Sequence, residues 1–257
     1  MALYIGIDGC KEAWIAAILE NGKLRIEKHK TIADIMQAYP HPDACLIDMA
    51  IGLPDRDHKD LRPDRVARRE LGRKGSSVFP VPSREAVQVK AAGRNPKEVQ
   101  AEQKETNRNS LGVSLSQQTM AIIPKIKELD DFLEAHAEYR NVLVESHPEV
   151  CFKRLKGEVL YSKKSKKDGR EERIKVLRDD GVIDESFDVR KLATDCKCKP
   201  DDILDAIVLA VTARMKAQGM CDTISANKSD PSDPPTDARG LRMQMVVPKR
   251  KKPESDN

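Results

Sequence analysis

Aromatic residues make up only 4% of the 257-residue chain, and tryptophan occurs once. A surface that stacks sugar rings, or rows of unpaired bases, needs more rings than that. No run of about 18 apolar residues occurs, so no membrane span is expected. The first residues lack a basic segment followed by a long apolar stretch, which argues against a cleaved signal peptide. Six cysteines are present, but no CxxC. The lone Cys196-Lys197-Cys198 is too little for a zinc site. A chain with enough apolar residues for a core does not need a disulfide framework. Reduced thiols and a cytoplasmic location are therefore expected. There is no GxxxxGK[ST] phosphate loop and no internal repeat.

What is present is charge and alternation. Lysine plus arginine number 46 against 42 acids, a net of +4, which permits a polyanionic partner without requiring one. Leu3–Asp8, Ala13–Leu19 and Leu24–Lys28 read as strands, with Asn21-Gly22 as a hairpin turn between the second and third. Thr31 caps a short helix over Ile32–Ala38. Ala44–Asp48 and Asn141–Glu145 read as two further buried strands. Helices are expected over about 116–137 and 200–218. The stretch 52–112 is polar and without a clean strand, and reads as an insertion. Residues 1–224 thus form one domain. Residues 225–257 are rich in Pro, Ser and Asp and end in a basic run. They read as a poorly ordered tail, with an edge strand possible near 241–247.

Three of the predicted strands end on an acid: Asp8, Asp48 and Glu145. In an open sheet, ligands gather at the strands' C-terminal ends. A fourth acid, Asp205, interrupts the apolar run Ile203–Leu209, where an ionised group is costly unless paired. Asp202 lies three residues earlier on the same helix face. Each acid alone has a plain explanation as a turn, cap or ion-pair residue. Together they would repel one another and hold protons unless a cation sat among them. Hard oxygen donors suit Mg²⁺ or Mn²⁺, and two such ions would support phosphodiester hydrolysis.

A meander followed by alternating helix and strand suggests a mixed five-stranded sheet, three antiparallel strands and then two parallel additions, with helices on both faces. This is the order of the ribonuclease H-like fold. The motifs carry a closer resemblance. They are Ile5-Gly6-Ile7-Asp8-Gly9-Cys10-Lys11 with Trp14, Leu46–Pro54, Arg65–Gly72, Ser77–Arg84, Leu115–Gln118, Glu145-Ser146-His147-Pro148-Glu149 and Asp202–Ala206. In this order they resemble the DUF429 family, predicted nucleases of the ribonuclease H-like superfamily. The likeness spans about residues 3–218, with Ala50 in place of an expected proline. It implies a metal-dependent nuclease similar to Holliday-junction resolvases. Asp8, Asp48 and Asp205 would be its metal-binding acids. Asp202 would be an additional ligand, and Glu145 the acid of the fifth strand.

A nucleic-acid partner would need cations near those acids. Arg62, Arg65, Arg68, Arg69 and Arg73 recur at helical spacing, and Arg84 follows a proline-rich turn. The span 153–178 holds eleven Lys or Arg against four acids, including Lys163 and Lys164. His147 could contact a phosphate or orient a water. Solvated surface and helix-entry packing are the plain alternatives for these residues. Two other functions fit the same pattern less well. An actin-like phosphate- or nucleotide-binding protein would need a second copy of the unit and another glycine-rich loop. A nucleic-acid binder without chemistry would not need all four acids.

Overall fold

The computed structural model describes residues 2–250. Lys251 and Lys252 of the basic run lie outside them. The chain divides into two compact units. The first holds Met1–Asp48, Asn141–Asp222 and the stretch from Val246. The second holds Met49–Arg140 and Thr223–Met245. The sequence places an insertion at 52–112 and a tail from 225. The second unit takes in the first stretch, residues 113–140 as well, and the tail only as far as Met245.

In the first unit, β1 (Leu3–Cys10), β2 (Ala13–Glu20) and β3 (Lys23–His29) form the antiparallel meander. Asn21 and Gly22 both take positive φ, 50° and 78°, which a tight hairpin turn between right-twisted strands demands. The first helix, α1 (Ile32–Ala38), starts on a reciprocal cap. The Thr31 side chain accepts from the Asp34 amide, and Asp34 accepts from the Thr31 amide. The strand β4 (Ala44–Ile47) then runs parallel to β1, with Ile7 opposite Ile47.

The second unit carries α2 (Asp64–Leu71), α3 (Arg84–Val87), α4 (Pro96–Leu111) and α5 (Gln117–Ala135). No strand occurs between 52 and 112. Buried Asn107 pins this unit's loops. It accepts from the Ser83 amide at 2.7 Å and donates to the Val113 carbonyl at 2.8 Å.

The chain re-enters the first unit through β5 (Leu143–Glu145), parallel to β4. It continues through α6 (Pro148–Lys156), α7 (Lys167–Asp179), α8 (Val189–Cys196) and α9 (Pro200–Ala217). The sheet order is β3-β2-β1-β4-β5, a mixed five-stranded sheet with flanking helices. Two last strands, β6 (Cys221–Ser225) and β7 (Gln244–Pro248), pair with each other as a separate sheet. The expected edge strand therefore exists, but it does not join the main sheet.

From Ile203 to Ala213 every residue of α9 is buried. A helix apolar on all sides belongs inside, and this one packs on β1, β2 and β4 and against α6, α7 and α8. Gly6 makes that approach possible. A Cβ there would lie 2.1 Å from the Ala206 carbonyl oxygen and 2.2 Å from the Ala210 nitrogen.

Residues 226–245 are not a loose tail. Asp237, Leu241, Met243 and Met245 are buried in the second unit. Asp237 accepts from the backbone amides of Leu53, Arg239 and Leu241, each at 2.9 Å, and from Arg84. Arg84 also donates to Asp130 at 2.7 Å, and Arg239 donates to Asp130 at 3.0 Å. One buried carboxylate organises the segment, which its Pro/Ser/Asp composition does not reveal. All six cysteines are free thiols. No helix among the described residues is long and apolar enough to cross a membrane.

A candidate carboxylate site at the end of the sheet

Register decides which acids meet. Residues level with each other in adjacent strands point to the same face, and successive residues alternate. Ile7, Ile47 and Glu145 are level across β1, β4 and β5. One step further on, the Asp48 amide donates to the Ile7 carbonyl and the Ser146 amide to the Ile47 carbonyl, both at 2.9 Å. Asp8 and Asp48 therefore fall on the face opposite to Glu145. That face is also Gly6's, and α9 lies against it. Asp205, next to Ala206, is thereby set beside Asp8.

The electrostatics match this placement. Asp8 is 8% exposed and Asp205 fully buried. Burial pushes the Asp8 carboxyl well above its ordinary value, and Asp48, Asp205 and Asp202 push it further while Lys164 opposes them. Burial also raises Asp48, against the pull of His147 and Lys164. Asp205 is raised to about 6, chiefly by burial, despite an ion pair with the Lys164 ammonium. Lys164 itself loses solvation, yet Asp205, Asp8 and Asp48 outweigh that and hold its proton more firmly than usual. Three carboxylates and one ammonium thus form a mutually interacting group.

The other predicted residues divide. Asp202 belongs to the group's edge. Burial raises it, and its Oδ2 accepts from the Lys199 amide at 3.0 Å. His147, 9% exposed at the start of α6, acts on Asp48. Glu145 is buried but is absent from the leading charges on the three aspartates. Glu149 stands among those on Asp48 and Asp205 instead. Sequence reading took the strand-end acid Glu145; Glu149, one helical turn beyond it on α6, is the acid whose charge acts on Asp48 and Asp205. Glu149 is paired with the buried Arg173 at 2.6 Å.

The cations are more committed than their sequence density suggests. Within 153–178, Arg154 pairs with Asp222, Lys156 with Glu158 and Glu172, Lys167 with Glu171, and Lys175 with Asp179. Lys163 is exposed beside Lys164. In the second unit, Arg62 is buried and holds Asp64 and the Ile51 and Gly52 carbonyls. Arg65 is exposed beside Asp60, Arg68 donates to the Gly75 carbonyl, and Arg69 is exposed. Both terminal nitrogens of Arg84 are bound to aspartates, so its role is internal.

Among the described residues, no group of three His, Cys, Asp or Glu side chains is arranged to hold a metal ion as it stands. The donor chemistry still suits a hard divalent cation, because the ligands are carboxylate oxygens and Oδ1 of Asp205 is buried without a hydrogen-bond partner. Searches of the curated proteins and of the solved structures returned no match. A family model described as a protein of unknown function, DUF429, matches residues 6–230. It takes in β1 from Gly6 onward, the three aspartates and α9, and on this match the chain belongs to the DUF429 family.

Proposed function

We propose that the protein is a metal-dependent nuclease with a ribonuclease H-like fold, acting on phosphodiester bonds at Asp8, Asp48 and Asp205. One observation carries the reading. Acids from β1, the end of β4 and the middle of α9 meet on one face of the sheet, at a cost that burial makes plain. The strand order β3-β2-β1-β4-β5 supports the fold assignment.

Asp8, Asp48 and Asp205 would hold Mg²⁺ or Mn²⁺, with Asp202 at the edge. Such an ion supplies charge neutralisation and an activated water. Lys164 sets a positive charge beside the acids, where a phosphate would otherwise be repelled. His147, at the start of α6, acts electrostatically on Asp48 and would be the imidazole nearest in role to a proton carrier at the site. Lys163 is an exposed cation of the first unit that would meet a nucleic-acid backbone, and Arg65, Arg68 and Arg69 are exposed cations of the second unit with the same chemistry. Sequence preference does not enter this set, since side-chain contacts with phosphates carry none.

A second reading, a nucleic-acid binder without chemistry, has one observation in its favour. No three ligands converge on a metal position among the described residues. Labelled RNA, DNA, hybrid and junction substrates, incubated with Mg²⁺ or Mn²⁺, separate the two. Cleavage that disappears in Asp8→Asn supports the nuclease. Binding without cleavage in both proteins supports the binder.

A further inference from the structure

We infer that Lys164 is a tethered cation built into the carboxylate group, so that the site takes one divalent ion rather than two and keeps the ammonium as its other positive charge. The inference rests on the nuclease reading above and concerns the composition of that same site.

The first observation is where the ammonium lies. Lys164 Nζ is bonded to Oδ2 of Asp205, a side chain with no exposure at all, while Oδ1 of the same carboxylate is buried and unpartnered. One oxygen is taken by the chain's own cation and the other is left for a different one. Asp8 and Asp48 feel the same ammonium. A single side chain therefore acts on three acids that come from three parts of the fold.

The second observation is that Lys164 is not a surface lysine that happened to fall inward. Its segment is clamped onto the first turn of α7. A Cβ on Gly169 would lie 2.1 Å from the Lys163 carbonyl oxygen and 3.0 Å from the Lys164 nitrogen, so only glycine lets the two backbones touch. The Lys166 amide donates to the Lys163 carbonyl at 2.9 Å, and Arg170 to the Ser165 carbonyl at 2.7 Å. Arg173 donates to the Gly169 carbonyl at 2.8 Å and ties that turn to Glu149 on α6. The backbone that carries the ammonium is fixed before any ligand arrives.

The third observation is charge. Glu149 is already balanced by Arg173, and Asp202 sits at the group's edge, its carboxylate turned to the Lys199 amide at the start of α9. Three carboxylates and one ammonium remain, a net of minus two. One divalent ion neutralises that group. A second would place two units of excess positive charge against an ammonium bonded to a fully buried carboxylate, where like charges repel.

The test counts ions. Wild type, Lys164→Met and Gly169→Ala are titrated with Mn²⁺, and bound ions per chain and affinity are read by electron paramagnetic resonance and equilibrium dialysis. Wild type should bind one ion at the site. Lys164→Met should bind its first ion about tenfold or more tighter, since a competing charge is gone, and should accept a second. Gly169→Ala keeps the lysine but displaces its loop, and should shift affinity in the same direction. Two ions in the wild type overturn the inference, and need no variant to fold. So does a Lys164→Met protein with wild-type stoichiometry and affinity, which would leave the nuclease reading standing. No Mn²⁺ bound by any of the proteins overturns both.

Discussion

Asp8 is the residue on which burial and like charge act together most strongly, and its substitution separates the two. Asparagine keeps its shape and removes one member of a repelling group. In the absence of metal, Asp8→Asn should melt about 3 °C higher than wild type, the shift expected for roughly 1 kcal/mol in a chain of this size. Adding Mn²⁺ should raise the wild-type melting temperature and leave the variant's unchanged, as scanning calorimetry would show. The sign of the pH dependence follows from the same cause. Asp8 and Asp48 are raised, and Asp205 reaches about 6. Between the ordinary carboxylate range and that value, the folded state binds more protons than the unfolded state. Stability from this group is therefore lost as pH rises from about 4 to about 7. Urea midpoints of metal-free wild type should fall more steeply over that interval than those of Asp8→Asn. At this scale the sequence was informative where an acid interrupts apolar residues, as with Asp8, Asp48 and Asp205. It offered Lys164 only as one cation of a lysine run facing a nucleic acid, and what singles it out, the pairing with Asp205 and the clamped backbone, has no sequence signal. It could not tell on which face Glu145 lies, because one residue of register reverses the face and no residue type announces register.

Two elements set the site's geometry, β1 and α9, and their contact depends on a missing side chain. Gly6→Ala would drive a methyl group into the Ala206 carbonyl and the Ala210 nitrogen, backbone atoms that cannot rotate away. The helix must move, at a cost of about 3 kcal/mol, and Asp205 moves with it. Chemical denaturation should show the loss of stability. A Mn²⁺ titration should show weaker binding although every acid is still present. The same contrast of legible and hidden applies to whole elements. The hairpin at Asn21-Gly22 and the helix cap at Thr31 rest on local chemistry, and both stand where the sequence places them. The strand β6 has no comparable local signal, and α3 has its Ser83 cap but only four residues behind it. In the second unit, Arg84 joins α3 to α5 and to the segment around Asp237. Arg84→Met would leave Asp130 and Asp237 buried without their main counter-ion, a loss of about 3–5 kcal/mol. Hydrogen exchange should then report earlier opening of residues 84–135 and 226–245, with β1 and α9 still protected.

For the whole molecule, the decisive feature is how the chain is threaded. It passes between the units at residues 48/49, 140/141, 222/223 and 245/246, the last two within β6 and β7. Composition suggested a tail from 225 onward because it registers prolines and serines, not the partners that Asp237 and Leu241 find. A chain ending at 224 would lose Asp237, Leu241 and Met243 from the second unit and the buried Val246 and Val247 from the first. It should be insoluble or molten, whereas a chain ending at 250 should match full length in circular dichroism and melting temperature. That comparison would also show whether the last described residues complete the fold. The threading bears on synthesis as well. A ribosome releases Asp8 and Asp48 early, but α9 comes some 150 residues later and β7 later still. At translation rates of about 5–20 residues per second, β1 waits roughly ten seconds or more with its Gly6 face bare. During that interval the nascent chain offers an apolar strip to any holdase that recognises one, and this protein's yield in the cell should track chaperone supply more closely than its final stability.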